Sequence, residues 1–343
     1  FTFVCNNQSN KTEDIFERCM SSGDSFTGAL AFCCQVFVYF VCGYPLTIVV
    51  QNAKIMMTIV RQQNLVALSA MFQPFLDRIL CLNGDMKNPM EWITSFKIPN
   101  KRTFDKSRTA EIVQGCLNRM VVSYIFGNLD EAERHLLGFR HFGDHAGAFF
   151  EVVDDVFFGP LIYLARFRQT RRGVYSRKAK KEYKNLVKIS RDRPVNLIHR
   201  FYIVDAEFSA TFPNKMNQDD IRSKFNKGIS TARKLGCVHD AAICCELAGR
   251  YFIRVDDDFW TQHYLTQSSR LFAEWGARGK VKSLREEYAA YLDNSKVDIG
   301  HEMKTTRKPM YSHAFRMESS YSVQSSTGAS LSALARDTGS SVK

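Results

Sequence analysis

Proline and glycine are scarce in this chain, at 8 and 19 of 343 residues. An all-β protein needs more of both to turn its many short strands, so the long stretches without a breaker read as helices. Cysteine is plentiful, at ten residues, but lacks the spacing that metal sites and disulfide frameworks use. No pair stands as Cys-x-x-Cys, and both Cys33-Cys34 and Cys244-Cys245 are adjacent. Most of the ten fall in apolar helical runs, where a thiol behaves as a small hydrophobe, and a reducing, cytoplasmic setting is expected. Catalytic signatures are missing too. There is no phosphate-cradling loop (Gly279-Lys280 runs into Val281 without the upstream glycine), no kinase catalytic loop, no G-x-S-x-G elbow and no H-E-x-x-H. No catalytic residue, cofactor or metal is therefore expected, and the chain by itself should not hydrolyse ATP.

What is present is core-forming material. Hydrophobic residues make up 45%, aromatics 13% and charged residues 24%, enough for one large domain or two ordinary ones without disulfide support. The chain opens at Phe1, with no basic segment followed by a short apolar core, and reads as an internal fragment or a misplaced start, not a secreted precursor. Residues 25–53 carry no charge at all. That length would satisfy a membrane span, and a membrane-anchored receptor fragment is the third reading of function. Against it, Gln35 and the Gly43-Tyr44-Pro45 turn divide the run into two buried helices of ordinary length.

Periodicity predicts helices at about 10–21, 25–43, 46–62, 65–82, 107–126, 130–139, 145–169, 174–190, 196–210, 218–235, 239–254, 258–274 and 277–292. Residues 83–106 read as a loop with at most a short helix. Ile221, Phe225, Ile229 and Ala232 form one apolar stripe, and Tyr264, Ser268, Leu271 and Trp275 repeat its spacing. Aromatic-rich helix ends followed by tight turns recur at Phe40–Gly43, Phe126–Gly127 and Phe252–Asp256. The prediction is an all-α, TPR-like α-solenoid of about six helical hairpins, each burying its face against a neighbour. N-terminal repeats and a loop occupy 1–106, and further repeats occupy 107–293. Residues 294–343 are a disordered tail or linker, with ten serines from Ser312 onward and no stripe. There Arg307-Lys308-Pro309-Met310-Tyr311-Ser312 offers hydroxyls beside basic residues for phosphorylation.

Charge is unevenly spread. Net charge is +12, and ten of the 47 basic residues fall between Arg166 and Lys188, where Glu182 is the sole acid. The candidate interaction surface is Arg168, Arg171, Arg172, Arg177, Lys178, Lys180, Lys181 and Lys184. Helical spacing lines up Arg177, Lys181, Lys184 and Lys188. A solvated face is the plain reading; an acidic protein partner comes next, then nucleic acid, for which Tyr175 and Tyr183 would add stacking. His135, His141, Asp144 and His145 form a small cluster. Because Phe142-Gly143 interrupts it, the expectation is a loop with Asp144 as an N-cap beside surface histidines, ahead of metal binding. Asp256-Asp257-Asp258 reads as a helix-connecting turn with N-terminal acids, ahead of a calcium loop.

From Lys215 to Leu292 the order is Phe225-x3-Ile229-x2-Ala232-x3-Gly236, Ala241-Ala242-x3-Glu246-Leu247-Ala248-x2-Tyr251-Phe252-Ile253, then Tyr264-Leu265 and Trp275-Gly276-Ala277-x2-Lys280-Val281. This resembles the helical-repeat region of large multidomain signalling ATPases of the AAA type. Those proteins carry a protein-kinase-like domain and the ATPase before the repeats, and often GAF and sensor histidine kinase modules, or another output domain, after them. Upstream, Pro194-Val195-Asn196, Asp205-Ala206-Glu207 and Tyr124-Ile125-Phe126-Gly127-Asn128 fit the same pattern. The resemblance implies a non-catalytic scaffold for protein–protein interaction or regulation, with neighbouring domains of the same polypeptide or another protein as partner. Its signature residues Tyr251, Glu246, Trp275, Gly276 and Lys280 are expected to serve packing and turns.

Overall fold

The computed structural model describes residues 14–100, 105–143, 151–192 and 194–292. The serine-rich tail, its phosphorylation segment, Asp144 and His145 lie outside them. Residues 14–21 are the described part of the first helix, α1. Then follow α2 Ser25–Val41, α3 Leu46–Gln62, α4 Val66–Asn83, α5 Pro89–Ser95, α6 Thr109–Ile125 and α7 Leu129–Gly143. The second half holds α8 Glu151–Thr170, α9 Gly173–Asp192, α10 Pro194–Thr211, α11 Gln218–Lys234, α12 Val238–Arg254, α13 Asp258–Trp275 and α14 Arg278–Glu287. There is no strand among the described residues.

Local chemistry fixes the helix ends. Asn217 and Asp220 form a reciprocal capping box at the start of α11: the Asn217 side chain accepts from Asp220 N, and the Asp220 carboxylate accepts from Asn217 N. Within the aspartate triple, the Asp257 side chain accepts from Trp260 N at 3.1 Å, which makes it the N-cap of α13. The uncharged run 25–53 divides at Gly43-Tyr44-Pro45 into α2 and α3, and no described helix is long and apolar enough to cross a membrane. Two boundaries depart from expectation: α14 ends at Glu287, short of 292, and α7 runs past 139. α7 continues through His141-Phe142-Gly143, because fully buried Phe142 extends the apolar face begun by His135 and Phe139.

Consecutive helices pack antiparallel into hairpins, chiefly α6 with α7, α8 with α9, α10 with α11 and α12 with α13, which stack as an α-solenoid. The predicted stripes face inward: Ile221, Phe225, Ile229, Ala232, Tyr264, Ser268, Leu271 and Trp275 are all buried.

The stack also returns on itself, with α14 against α4. Trp275 Nε1 donates to the Tyr44 carbonyl at 3.0 Å. Backbones meet so closely here that a Cβ on Gly43 would lie 2.4 Å from the Gly236 carbonyl oxygen, and one on Gly279 would lie 2.4 Å from that of Cys81. Only glycine permits such an approach. An array whose hairpins touched just their neighbours would leave these segments apart.

A buried charge network crosses the same region. Arg78 on α4 donates to Asp154 on α8 at 2.6 Å, and Arg200 on α10 donates to Asp154 at 3.2 Å and to Asp240 on α12 at 2.8 Å. Two guanidiniums thus face two carboxylates in the interior, which satisfies the condition for burying charge. Among the described residues eight cysteines are free, six of them buried. Cys42, at the end of α2, is disulfide-bonded, contrary to the expectation of thiols alone.

Candidate interaction surface

The basic run occupies the end of α8, a two-residue connection and most of α9. Tyr175, Ala179, Leu186 and Ser190 make the buried stripe of α9. Their spacing turns Arg177, Lys181, Lys184 and Lys188 to the opposite side, and all four are exposed. Arg171, held at a left-handed φ of 57°, Arg172 and Lys180 are exposed beside them.

Neighbouring carboxylates are already taken. Arg166 holds Glu133 and Asp130; Arg140 holds Asp155 and Glu182; Lys224 holds Asp205; and Arg168 reaches Glu207 at 2.5 Å. Among the described residues, no carboxylate lies within ion-pair distance of Arg171, Arg172, Arg177, Lys180, Lys181, Lys184 or Lys188. These seven cations, five on one side of α9 and two in the connection before it, have no internal counter-ion, although the Lys180 ammonium lies 5.0 Å from the centre of the Phe212 ring; such a field favours an anionic partner.

Two of the eight predicted surface residues serve inside the fold instead. Arg168 is half-buried, donating to Thr211 Oγ1 at 2.6 Å and pairing with Glu207. Lys178 is half-buried, with its ammonium 4.9 Å from the centre of the Tyr163 ring. The tyrosines are likewise committed. Tyr175 is buried, stacks on Tyr163 and donates to Glu133 at 2.8 Å; Tyr183 stacks on Phe208 at 4.1 Å and donates to Asp205 at 2.6 Å. Neither is free to stack on a base, which removes the aromatic support for the nucleic-acid reading.

The residues of the 215–292 pattern serve packing, pairing and turns. Glu246 Oε1 accepts from Lys280 Nζ at 2.9 Å and from Arg250 at 2.6 Å, and Lys280 also donates to the Ile125 carbonyl at 2.6 Å. Burial lowers the Lys280 pKa, with Glu246 opposing the shift. Tyr251 packs edge-on against Phe252, and Gly276 caps α13 at φ 93°.

His135 is fully buried, with Nε2 3.2 Å from the Ile93 carbonyl; it is not a surface histidine. Burial, followed by the adjacent Arg134, pushes its pKa down to about 3. Among the described residues the group with metal-ligand character is a different one, His199, Cys237 and Asp240. Spacing did not point to it, because His199 and Cys237 lie on different elements 38 positions apart. The available signal was charge at interior positions: Arg78 sits between Phe75 and Ile79, and Arg200 precedes Phe201.

No family model, curated protein or solved structure matches the chain.

Proposed function

We propose that this chain is a non-catalytic helical-repeat scaffold whose α9 face docks an acidic segment of another protein or of a neighbouring domain in the same polypeptide. The observation that carries this reading is the set of seven exposed cations with no internal counter-ion. Helical stacking supports it by presenting α9 on rigid neighbours, so the charges are held in place before binding. A large intracellular signalling ATPase is the setting that the resemblance over residues 215–292 suggests, and that part rests on the residue pattern alone. A cytoplasmic location fits the eight free thiols among the described residues, with the Cys42 disulfide against it.

The test is competition for a fluorescent glutamate-rich peptide bound to the intact chain. This reading predicts that a second acidic peptide displaces it more readily than single-stranded DNA of equal charge. Preferential displacement by DNA would assign the face to nucleic acid.

A further inference from the structure

The buried network holds polar atoms that make no hydrogen bond, beside the 2.9 Å contact of His199 Nε2 with Asp240 Oδ2. His199 Nδ1, both ring nitrogens of His239 and Asp240 Oδ1 are buried and accept or donate no hydrogen bond. Such atoms are unusual, since buried polar groups are almost always satisfied by protein, water or an ion. Cys237 lies beside them, and among the described residues its polar contact is a long approach of Sγ to the Val41 carbonyl at 3.9 Å. All four residues are more than nine-tenths buried. One donor atom each from His199, Cys237 and Asp240 falls within 4.8 Å of the others, and His239 Nε2 lies 3.6 Å from Asp240 Oδ1.

We propose that His199, Cys237 and Asp240 bind a divalent transition-metal ion of the zinc type, with His239 or a water as the fourth ligand. Thiolate, imidazole and carboxylate together suit a borderline-soft ion in a four-coordinate site, not calcium or magnesium, which take oxygen alone. Donors about 2.0–2.3 Å from a tetrahedral ion sit roughly 3.3–3.8 Å apart, so the widest separation closes by about 1 Å. Binding therefore asks the Cys237 and His199 side chains to rotate and the 2.9 Å contact of His199 Nε2 with Asp240 Oδ2 to give way to the ion. The thiol proton leaves for solvent as the metal–sulfur bond forms, and the metal keeps its oxidation state.

Arg200 does not block this assignment. Its guanidinium holds Asp154 and the Val153 carbonyl as well as Asp240, so it remains compensated when Asp240 also faces a metal. A donor on a ligating carboxylate is the usual outer-shell arrangement, and it orients the ligand. The Cys237 thiolate offsets one of the two charges that the ion brings. The site also has a place in the fold: it joins α10 to the start of α12, beside Trp275, which stacks on His239 at 4.9 Å. Bound metal would brace the seam from inside. It is independent of the α9 face, so either assignment can fail without the other.

The experiment loads the reduced, intact chain with Zn2+ or Co2+, removes loose metal by desalting, and measures metal per chain together with the cobalt absorption spectrum. The expected result is about one equivalent retained, with a thiolate-to-cobalt charge-transfer band. Both should be lost in Cys237→Ser and kept in Cys245→Ser, whose sulfur is equally buried on α12 but outside the cluster. Less than a tenth of an equivalent retained by the wild-type chain, with its thiols shown to be reduced, overturns the proposal. Equal retention by Cys237→Ser does so as well. Since the wild-type measurement stands alone, a variant that fails to fold does not rescue the idea.

Discussion

Lys280 and Glu246 form a buried ion pair, 2.9 Å apart, between α14 and α12. Lys280 depends on Glu246 for its counter-charge because its ammonium is shut off from water, whereas Glu246 also holds Arg250. The same lysine satisfies the Ile125 carbonyl at the end of α6, so one ammonium ties three helices together.

Replacing Lys280 by Met keeps the stem and removes the charge, leaving Glu246 with Arg250 alone. The expected loss of stability is about 3–5 kcal/mol, the range for breaking a buried pair from one side. In Lys280→Met/Glu246→Leu, with both charges gone, the loss should be smaller than the sum of the two single changes. Urea unfolding of the four proteins of this cycle measures it; strict additivity would show that the two residues do not interact.

The close backbone approach at Gly279 sets a second expectation. Gly279→Ala places a methyl group 2.4 Å from the Cys81 carbonyl oxygen and should destabilise by about 1–3 kcal/mol through overpacking. Gly173→Ala, at the start of α9, meets nothing within 4 Å and should be neutral or slightly stabilising. Thermal melts of the two variants compare them directly, and equal effects would mean that α14 does not lie against α4.

His135 gives the stability a pH dependence of known sign. In the unfolded chain it takes up a proton below its ordinary pKa near 6.5, whereas in the fold burial and Arg134 delay that to about 3. The unfolded state therefore binds more protons between these values, and stability falls as pH drops from about 6.5 toward 3, by up to about 1.4 kcal/mol per unit. Unfolding free energies of wild type and His135→Gln at pH 7, 6, 5 and 4 isolate this contribution. A difference between them that stays flat with pH would contradict it.

The α9 face should be separable from the fold. Neutralising Arg171, Arg177, Lys181 and Lys184 to Gln removes exposed, unpaired charges, so each change should alter stability by no more than about 0.5 kcal/mol. Circular dichroism melts check this, and a collapse of the helical signal would show that the four side chains are structural after all.

Much of this architecture was legible because helix formation and burial are local, periodic properties. The stripe of Ile221, Phe225, Ile229 and Ala232 announced α11 and its inner face, and Arg177, Lys181, Lys184 and Lys188 announced the outer face of α9. Spacing could not say which cations would be neutralised. Arg168 finds Glu207 and Lys178 finds Tyr163 only once α8, α9 and α10 are packed. Nor could it say that Tyr175 and Tyr183 turn their hydroxyls to Glu133 and Asp205. The seam was hidden for the same reason. Trp275 looked like a packing residue, but its partner, the Tyr44 carbonyl, lies 231 positions away. The cluster at His199, Cys237 and Asp240 likewise exists only in three dimensions.

The most direct measurement is calorimetric titration of the intact chain, and of the fourfold α9 variant, with one glutamate-rich peptide at low and at physiological salt. The account predicts binding that weakens as salt rises and falls at least about tenfold in the variant, while the melting temperature hardly moves. Binding that the variant retains in full, or no binding by the native chain at low salt, would contradict it.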